Sequence, residues 1–317
     1  MKKMQALQWD GKLLQVNSVP IPAPTAGEVL VRVTRAGICN TDLEIIRGYY
    51  PFTGTLGHEF TGIVEHAEDA ALVGKRVVSD INNSCQQCAM CQAGQAHHCL
   101  NRSALGIKDK DGAFAEFLTT PVRNLVLVPD EVPDEMAVFA EPLAAALEIQ
   151  EQVDFSSIKD VAVIGDGKLG LLIAMSLIQA ELNVTLIGHH PERATLSGSS
   201  QLNYLPSPPE TLFPVVIEAT GSPSGFEDAL ALTAPRGTLV LKSTYGTALN
   251  FNPAPVVVNE ISILGSRCGP MHKAVAAMAS AAINPASLIE GSYALKDGVD
   301  AVNRADQKGV LKILLCM

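Results

Sequence analysis

The sequence predicts an α/β fold in which a doubly wound parallel sheet is joined to a second, mostly β domain. Three observations carry this expectation. A short apolar run at residues 161–164 leads into Gly165-x-Gly167-x-x-Gly170, and residues 171–180 then read as a buried helix. This strand–turn–helix is the start of a dinucleotide fold: the glycines permit a tight turn and close approach of a pyrophosphate. The helix N-terminus offers free N–H groups and a partial positive charge to it, and Lys168 and Leu169 within the turn are expected among the cofactor-binding residues. About half of the 317 residues precede this turn, so a different domain fills the first half. Within that half, four of the seven cysteines crowd between Cys85 and Cys99.

Composition narrows the function classes. A hydrophobic content of 47% with 18% charged residues describes a globular enzyme with room for two cores. The net charge of −10 argues against nucleic acid or an anionic membrane surface as the main partner, because both need a basic face. Residues 1–10 hold no apolar core of signal-peptide length, and no apolar run approaches the ~18–20 residues of a membrane helix. A cytoplasmic protein is expected. In a reducing compartment, crowded cysteines point to metal rather than to disulfides.

The elements follow in order. Residues 4–10 and 12–17 read as a hairpin around Asp10-Gly11, and Pro20, Pro22 and Pro24 keep the next segment extended. Residues 28–34 alternate as a half-buried strand and deliver the chain to a turn carrying Cys39, Thr41 and Asp42. Strands are expected at 61–64, 74–78, 111–118 and 125–128, with a helix at 131–152 interrupted at Glu141-Pro142. In Cys85-x-x-Cys88-x-x-Cys91-x7-Cys99 the spacing sets four thiolates around one ion. A closed tetrahedral zinc site suits such a loop, an iron–sulfur cluster or free thiols being the alternatives. His97 and His98 read as surface residues. Strands at 184–187, 215–218 and 238–242, with a helix at 226–232, extend the nucleotide fold. Residues 191–214 are too short and Pro/Ser-rich for a full helix–strand–helix. A strand at 261–265 is expected to return to the first domain, followed by a helix at 272–283 and a closing strand at 310–315.

Gly37-Ile-Cys39-x-x-Asp42, Gly57-His58-Glu59-Phe-x-Gly62, the cysteine lobe, Glu141-Pro142, the glycine turn and Glu218-Ala-Thr220-Gly221 stand in one order along nearly the whole chain. Together they resemble the zinc-containing medium-chain dehydrogenases, the family of alcohol, sorbitol and threonine dehydrogenases. The resemblance implies a GroES-like catalytic domain split between residues 1–141 and 266–317, a Rossmann domain at 142–265, and a homodimer or homotetramer. It also implies two zinc ions per chain, one catalytic and one structural. Cys39 and His58 match the first two catalytic zinc ligands, and Glu59 matches a neighbouring carboxylate that binds zinc in some members. The third ligand, often cysteine, is Glu141 here, as in the sorbitol dehydrogenase branch; fewer thiolates leave the ion more Lewis-acidic. Asp42 matches the carboxylate that orients the ligand histidine, and Thr41 the hydroxyl linking substrate oxygen to the proton exit. Where many relatives carry a relay histidine this chain has Glu44, so either Glu44 passes the proton on or the relay ends in water.

The cofactor side departs from the common pattern too. NAD-binding forms place Asp or Glu at the end of the second strand to accept from the ribose 2′-OH. Here Gly188 stands there, followed by His189, His190 and Arg193. A small residue leaves room for a phosphate that the basic groups would hold, so NADP(H) is expected, with NAD(H) through other contacts as the alternative. Thr220 is placed beside the cofactor, and Lys312 matches a position whose basic side chain meets the pyrophosphate, unless it is an exposed strand lysine. Tyr49, Tyr50 and Phe52 are expected to line the substrate pocket. Arg267 lies near a substrate-mouth arginine of the polyol-type relatives, or makes a surface salt bridge. Cys268 and Cys316 read as structural. The implied reaction is hydride transfer between a small alcohol or carbonyl and the nicotinamide, zinc acting on the substrate oxygen. The rivals are a zinc-free reductase of the same superfamily, opposed by Cys39, His58 and Glu141, a zinc-ribbon nucleic-acid binder, opposed by the acidic charge, and a nucleotide-binding scaffold without turnover.

Overall fold

The computed structural model describes residues 2–244 and 248–317. The chain divides into two compact units, one of Met1–Glu141 with Ile289–Met317 and one of Pro142–Leu288.

The first unit opens with the hairpin of β1 (Lys3–Trp9) and β2 (Leu14–Pro20), turned at Asp10, whose Oδ1 accepts from Lys12 and Leu13 N–H, both at 2.8 Å. β3 (Glu28–Gly37) buries alternate Val29, Val31 and Val33, as its sequence period demands. It is followed by α1 (Asn40–Ile46), β4 (Gly54–Thr55), β5 (Glu59–His66) and β6 (Arg76–Ser79). The cysteine lobe hangs from an antiparallel pair, β7 (Asn82–Asn83) and β8 (Ser103–Ala104), and contains one helical turn, α2 (Ala89–Gln92). Then come β9 (Phe117–Pro121), β10 (Leu125–Leu127) and α3 (Asp134–Ala137).

The strand expected at 111–118 forms only from Phe117. The preceding backbone instead bonds across to Leu56, Gly57 and Leu7, holding Phe114 fully buried. The helix expected at 131–152 breaks before α4 (Ala140–Gln152). Pro142 sits in the first turn of α4, where its missing N–H costs nothing, and does not interrupt it.

In the second unit, β11 (Asp160–Ile164), α5 (Lys168–Gln179), β12 (Asn183–Ile187), β13 (Asn203–Leu205), β14 (Phe213–Glu218), α6 (Pro223–Leu232), β15 (Thr233–Leu241), α7 (Ala254–Val258), β16 (Ser262–Gly265) and α8 (Met271–Ala279) follow. All strands pair parallel in the order β13-β12-β11-β14-β15-β16, the doubly wound order whose switch point lies between β11 and β14. β11 and β12 are buried at every position after the first, Thr185 included, because both faces of a parallel sheet are covered. α5 is buried from Gly170 to Leu177, and its one hydroxyl in that run, Ser176 Oγ, is satisfied by Ile173 O at 2.9 Å. The trimmed stretch after β12 holds a 3₁₀ segment, Pro191–Ser197, in place of a full helix.

The strand at 261–265 does not return to the first unit. β16 completes the parallel sheet through its ladder with β15, and the chain rejoins the first unit only at Ile289, well after residue 266. There β17 (Ile289–Ala294), α9 (Gly298–Ala305) and β18 (Lys312–Cys316) close the fold. β18 pairs antiparallel with β3 and parallel with β17, completing a seven-stranded sheet. Among the described residues, no helix is long and apolar enough to cross a membrane.

Candidate metal centre and nucleotide turn

Strand register builds the first site. Gly37 at the end of β3 faces Glu59 at the start of β5 on one side and Leu314 of β18 on the other. A side chain at Gly37 would lie 2.7 Å from Val138 and 3.3 Å from Lys312 Cδ, so glycine leaves the room in which Lys312 reaches Glu59. Cys39 caps α1, and its N–H donates to Asp42 Oδ2 at 2.9 Å. His58 follows a tight turn at Gly57, where φ is +93° and a Cβ would overlap the Phe114 ring. Asp42, fully buried, ties the two segments together: its Oδ1 accepts from Gly57 N–H at 3.1 Å and lies 3.3 Å from His58 Nδ1.

The ligand atoms of Cys39, His58 and Glu59 lie within 4.8 Å of one another. Glu59 Oε1 is buried there with no hydrogen-bond partner among the described residues, a costly arrangement unless a cation completes the site. His58 Nδ1 faces Asp42 Oδ1 at 3.3 Å, so Asp42 orients the ring. Burial pushes the His58 imidazole down, yet Asp42 and Cys39 outweigh it and hold the group well above its ordinary range. The site attracts positive charge, and the proton stands where a metal would balance the same anions. Thiolate, imidazole and carboxylate form a donor set that suits zinc.

Glu141 lies outside this cluster of three, although it feels the charges of His58, Glu59 and Lys312; burial pushes its carboxyl up. Lys312 corrects an expectation. It is neither an exposed strand lysine nor turned toward a pyrophosphate, because it is about 1% exposed, donates to Glu59 Oε2 and stands 5.5 Å from the Phe139 ring centroid. Burial pulls its ammonium down, but Glu59 more than compensates and keeps it raised. Thr41 Oγ1 sits 3.8 Å from Cys39 Sγ and accepts from the thiol. Glu44 is engaged by Arg47 at 2.6 Å, and Arg47 also pairs with Asp306, so its carboxylate is not a free end of a relay. Tyr49, Tyr50 and Phe52 do not form one wall: Phe52 is in the core, Tyr50 half-buried and Tyr49 43% exposed.

In the lobe, the sulfurs of Cys85, Cys88, Cys91 and Cys99 converge, with Cys88–Cys91 and Cys85–Cys99 at 3.5 Å and Cys88–Cys99 at 3.8 Å. A tetrahedron with metal–sulfur bonds of ~2.3 Å has edges of ~3.8 Å, so the cage fits zinc. His97 Nε2 donates to Asp80 Oδ2 at 2.6 Å.

The second unit carries the glycine turn. Gly165 has φ +109°, and a side chain there would approach Ala219 O at 2.7 Å. Gly167 caps α5, with open space where a Cβ would stand, and Lys168 and Leu169 form the first helical positions, as a pyrophosphate cradle requires. Glu218 organises the facing turn by accepting from Thr220 N–H and Oγ, both at 2.6 Å, and from Gly221 N–H at 3.2 Å.

The space expected above Gly188 is filled. A Cβ on Gly188 would overlap the carboxylate of Asp166, the variable residue of the glycine turn. Arg193 is buried and donates to Asp166 O at 2.9 Å, and His190 bonds to the same residue, while His189 is exposed. Sequence reasoning missed Asp166 because it sits between glycines that explain the turn without it. Arg267 is an exposed side chain just past β16.

Comparison with known proteins agrees with this geometry. The alcohol dehydrogenase GroES-like domain matches residues 25–130, and the zinc-binding dehydrogenase domain matches residues 210–283. Starvation-sensing protein RspB of Escherichia coli K12 is 30% identical, covering 93% of this chain and 94% of its own. Two solved structures each share 28% identity over 100% of both chains. One is a zinc-binding dehydrogenase from Sinorhizobium meliloti 1021 bound to NADP, with a TM-score of 0.89. The other is an alcohol dehydrogenase, RspB of Escherichia coli CFT073, complexed with NADH, with a TM-score of 0.90. With the two-segment β-rich unit, the six-stranded parallel sheet and both cysteine-containing clusters in place, the chain belongs to the zinc-containing medium-chain dehydrogenase family and is an oxidoreductase of the alcohol dehydrogenase type.

Proposed function

We propose that this chain transfers hydride between a small alcohol or carbonyl compound and a nicotinamide dinucleotide, with zinc at Cys39, His58 and Glu59 and a second zinc in the cysteine lobe. The observation that carries the reading is the convergence of the Cys39, His58 and Glu59 ligand atoms within 4.8 Å, with Glu59 Oε1 buried and without a hydrogen-bond partner among the described residues. Zinc held there supplies Lewis acidity toward an alcohol or carbonyl oxygen, and the nicotinamide supplies the hydride chemistry.

The chain's own residues do the rest. Asp42 fixes the Cys39 and Gly57 backbone and stands against His58, so the donor set is held before any ion arrives. Lys312 neutralises one oxygen of Glu59 and leaves the other for the metal. Thr41 Oγ1, next to Cys39 Sγ, accepts the substrate hydroxyl proton while passing its own to solvent water. The N–H groups of Lys168 and Leu169 bind the pyrophosphate at the start of α5. Self-association as a homodimer or homotetramer is supported by the exposed Val257 and Val258 of α7 and Ile263 of the edge strand β16. A cytoplasmic location is supported by the two sets of reduced thiols the metal sites need.

The test is a panel of small alcohols and carbonyls assayed with NAD(H) and NADP(H), following the absorbance of the reduced nicotinamide. Turnover that is present in the native chain and lost in a folded His58→Ala variant supports the reading. Tight dinucleotide binding with no turnover on any substrate favours a nucleotide-binding scaffold instead.

A further inference from the structure

Asp166 has no part in the turn's backbone geometry, yet four groups converge on it. His190 N–H donates to its Oδ2 at 2.7 Å and Tyr204 O–H to the same oxygen at 3.0 Å. His190 Nδ1 lies 3.1 Å from Oδ1, and Arg193 Nη1 lies 3.7 Å from it. The Asp166 and Arg193 side chains are each only 8% exposed. Burial raises the Asp166 carboxyl, but the hydrogen bonds from His190 and Tyr204 outweigh it and hold the group below the usual carboxylate range. An anion is therefore fixed at the carboxyl end of β12, in the volume that a side chain on Gly188 would otherwise fill.

We propose that Asp166, reaching across from the glycine turn, is the specificity-determining residue for the dinucleotide and selects NADH over NADPH. The inference rests on the dinucleotide reading above and deepens it. A carboxylate at the end of the second strand is placed to accept from a ribose 2′-OH, and two oxygens with about four lone-pair sites leave capacity beyond the contacts already made. The same charge, poorly solvated, opposes a 2′-phosphate. His190 and Arg193, the basic groups nearest Gly188, are already engaged by Asp166 and so are not left to hold a phosphate.

The experiment measures dissociation constants for NADH and NADPH by nicotinamide fluorescence in the native chain and in Asp166→Asn, Asp166→Ala and Gly188→Ala, with thermal unfolding to confirm each fold. The native chain is expected to bind NADH at least about tenfold more tightly than NADPH, the range of one charge-assisted hydrogen bond. Asp166→Asn keeps an oxygen for Tyr204 while removing the charge, and should move the NADH/NADPH ratio toward NADPH by about ten- to a hundredfold. Asp166→Ala should move it the same way. Gly188→Ala, which displaces the carboxylate without touching Asp166, should follow in direction. A native chain that binds NADPH more tightly, or a folded Asp166→Asn with an unchanged ratio, overturns the inference while leaving the dinucleotide reading intact. Binding of neither dinucleotide overturns that reading and the inference with it.

Discussion

The ammonium of Lys312 donates to one oxygen of Glu59 and leaves the other, Oε1, buried without a hydrogen-bond partner. The pair is completely shielded from water, and breaking such a pair by removing one partner strands a buried charge. Lys312→Met should therefore cost about 3–5 kcal/mol in stability, far more than an exposed ion pair would. Urea unfolding of the native and variant chains measures it. A loss below about 1 kcal/mol would show that Glu59 does not need the lysine.

The proton path is the next test. Thr41 Oγ1 adjoins Cys39 Sγ, whereas Glu44 is held by Arg47 on the outer side of α1. Thr41→Ala should lower turnover by ~10²–10⁴-fold with zinc content unchanged, as the loss of a positioned proton-transfer group does. Glu44→Gln should leave the rate and the pH profile close to native, because an ion-paired carboxylate is a poor outer acceptor. A Glu44→Gln enzyme with slowed alcohol oxidation and a steeper dependence on buffer would restore Glu44 to the relay.

The cysteine lobe makes a pH-dependent prediction. N–H groups of Gln87 and Cys88 and the neighbouring Cys99 lower the Cys85 thiol to about 6. Partial burial, with Cys88 and Cys99 beside it, pushes Cys91 up to about 12. At neutral pH the metal-free lobe thus holds Cys85 largely as thiolate and Cys91 as thiol. Zinc requires every ligand deprotonated, so loading must release about one proton or more per ion, and affinity must climb as pH rises through the neutral range. Zinc titration in weak buffer with a pH indicator checks this. Binding without proton release contradicts it. Cys91→Ser should lose this ion and lower the melting temperature, since structural zinc contributes folding energy directly.

How far the sequence led varies with the kind of information each feature carries. The glycine turn, the cysteine spacing and the Cys39/His58 pair are local patterns whose chemistry follows from residue type and separation, and the structure brings the four cysteines together and Cys39 beside His58. What sequence reading missed depended on register and on partners far along the chain. Lys312 meets Glu59 only because β18 and β5 flank β3 at Gly37. β17, Ile-Glu-Gly-Ser-Tyr-Ala, alternates only weakly, with Gly291 between Ile289 and Tyr293 on its half-buried side, and it forms because β18 offers a parallel edge. The space above Gly188 reads as empty from its own residue, and Asp166, 22 positions earlier, fills it. The strand at 261–265 is legible as a strand, but its destination is decided by the ladder with β15.

The zinc content of freshly prepared protein tests the account most directly, measured by elemental analysis per chain on the native protein and on His58→Ala. Two unlike sites, one at Cys39, His58 and Glu59 and one at the four lobe cysteines, predict about two ions in the native chain and about one in a folded His58→Ala variant. One ion or none in the native chain, or two retained after His58 is removed, would contradict it.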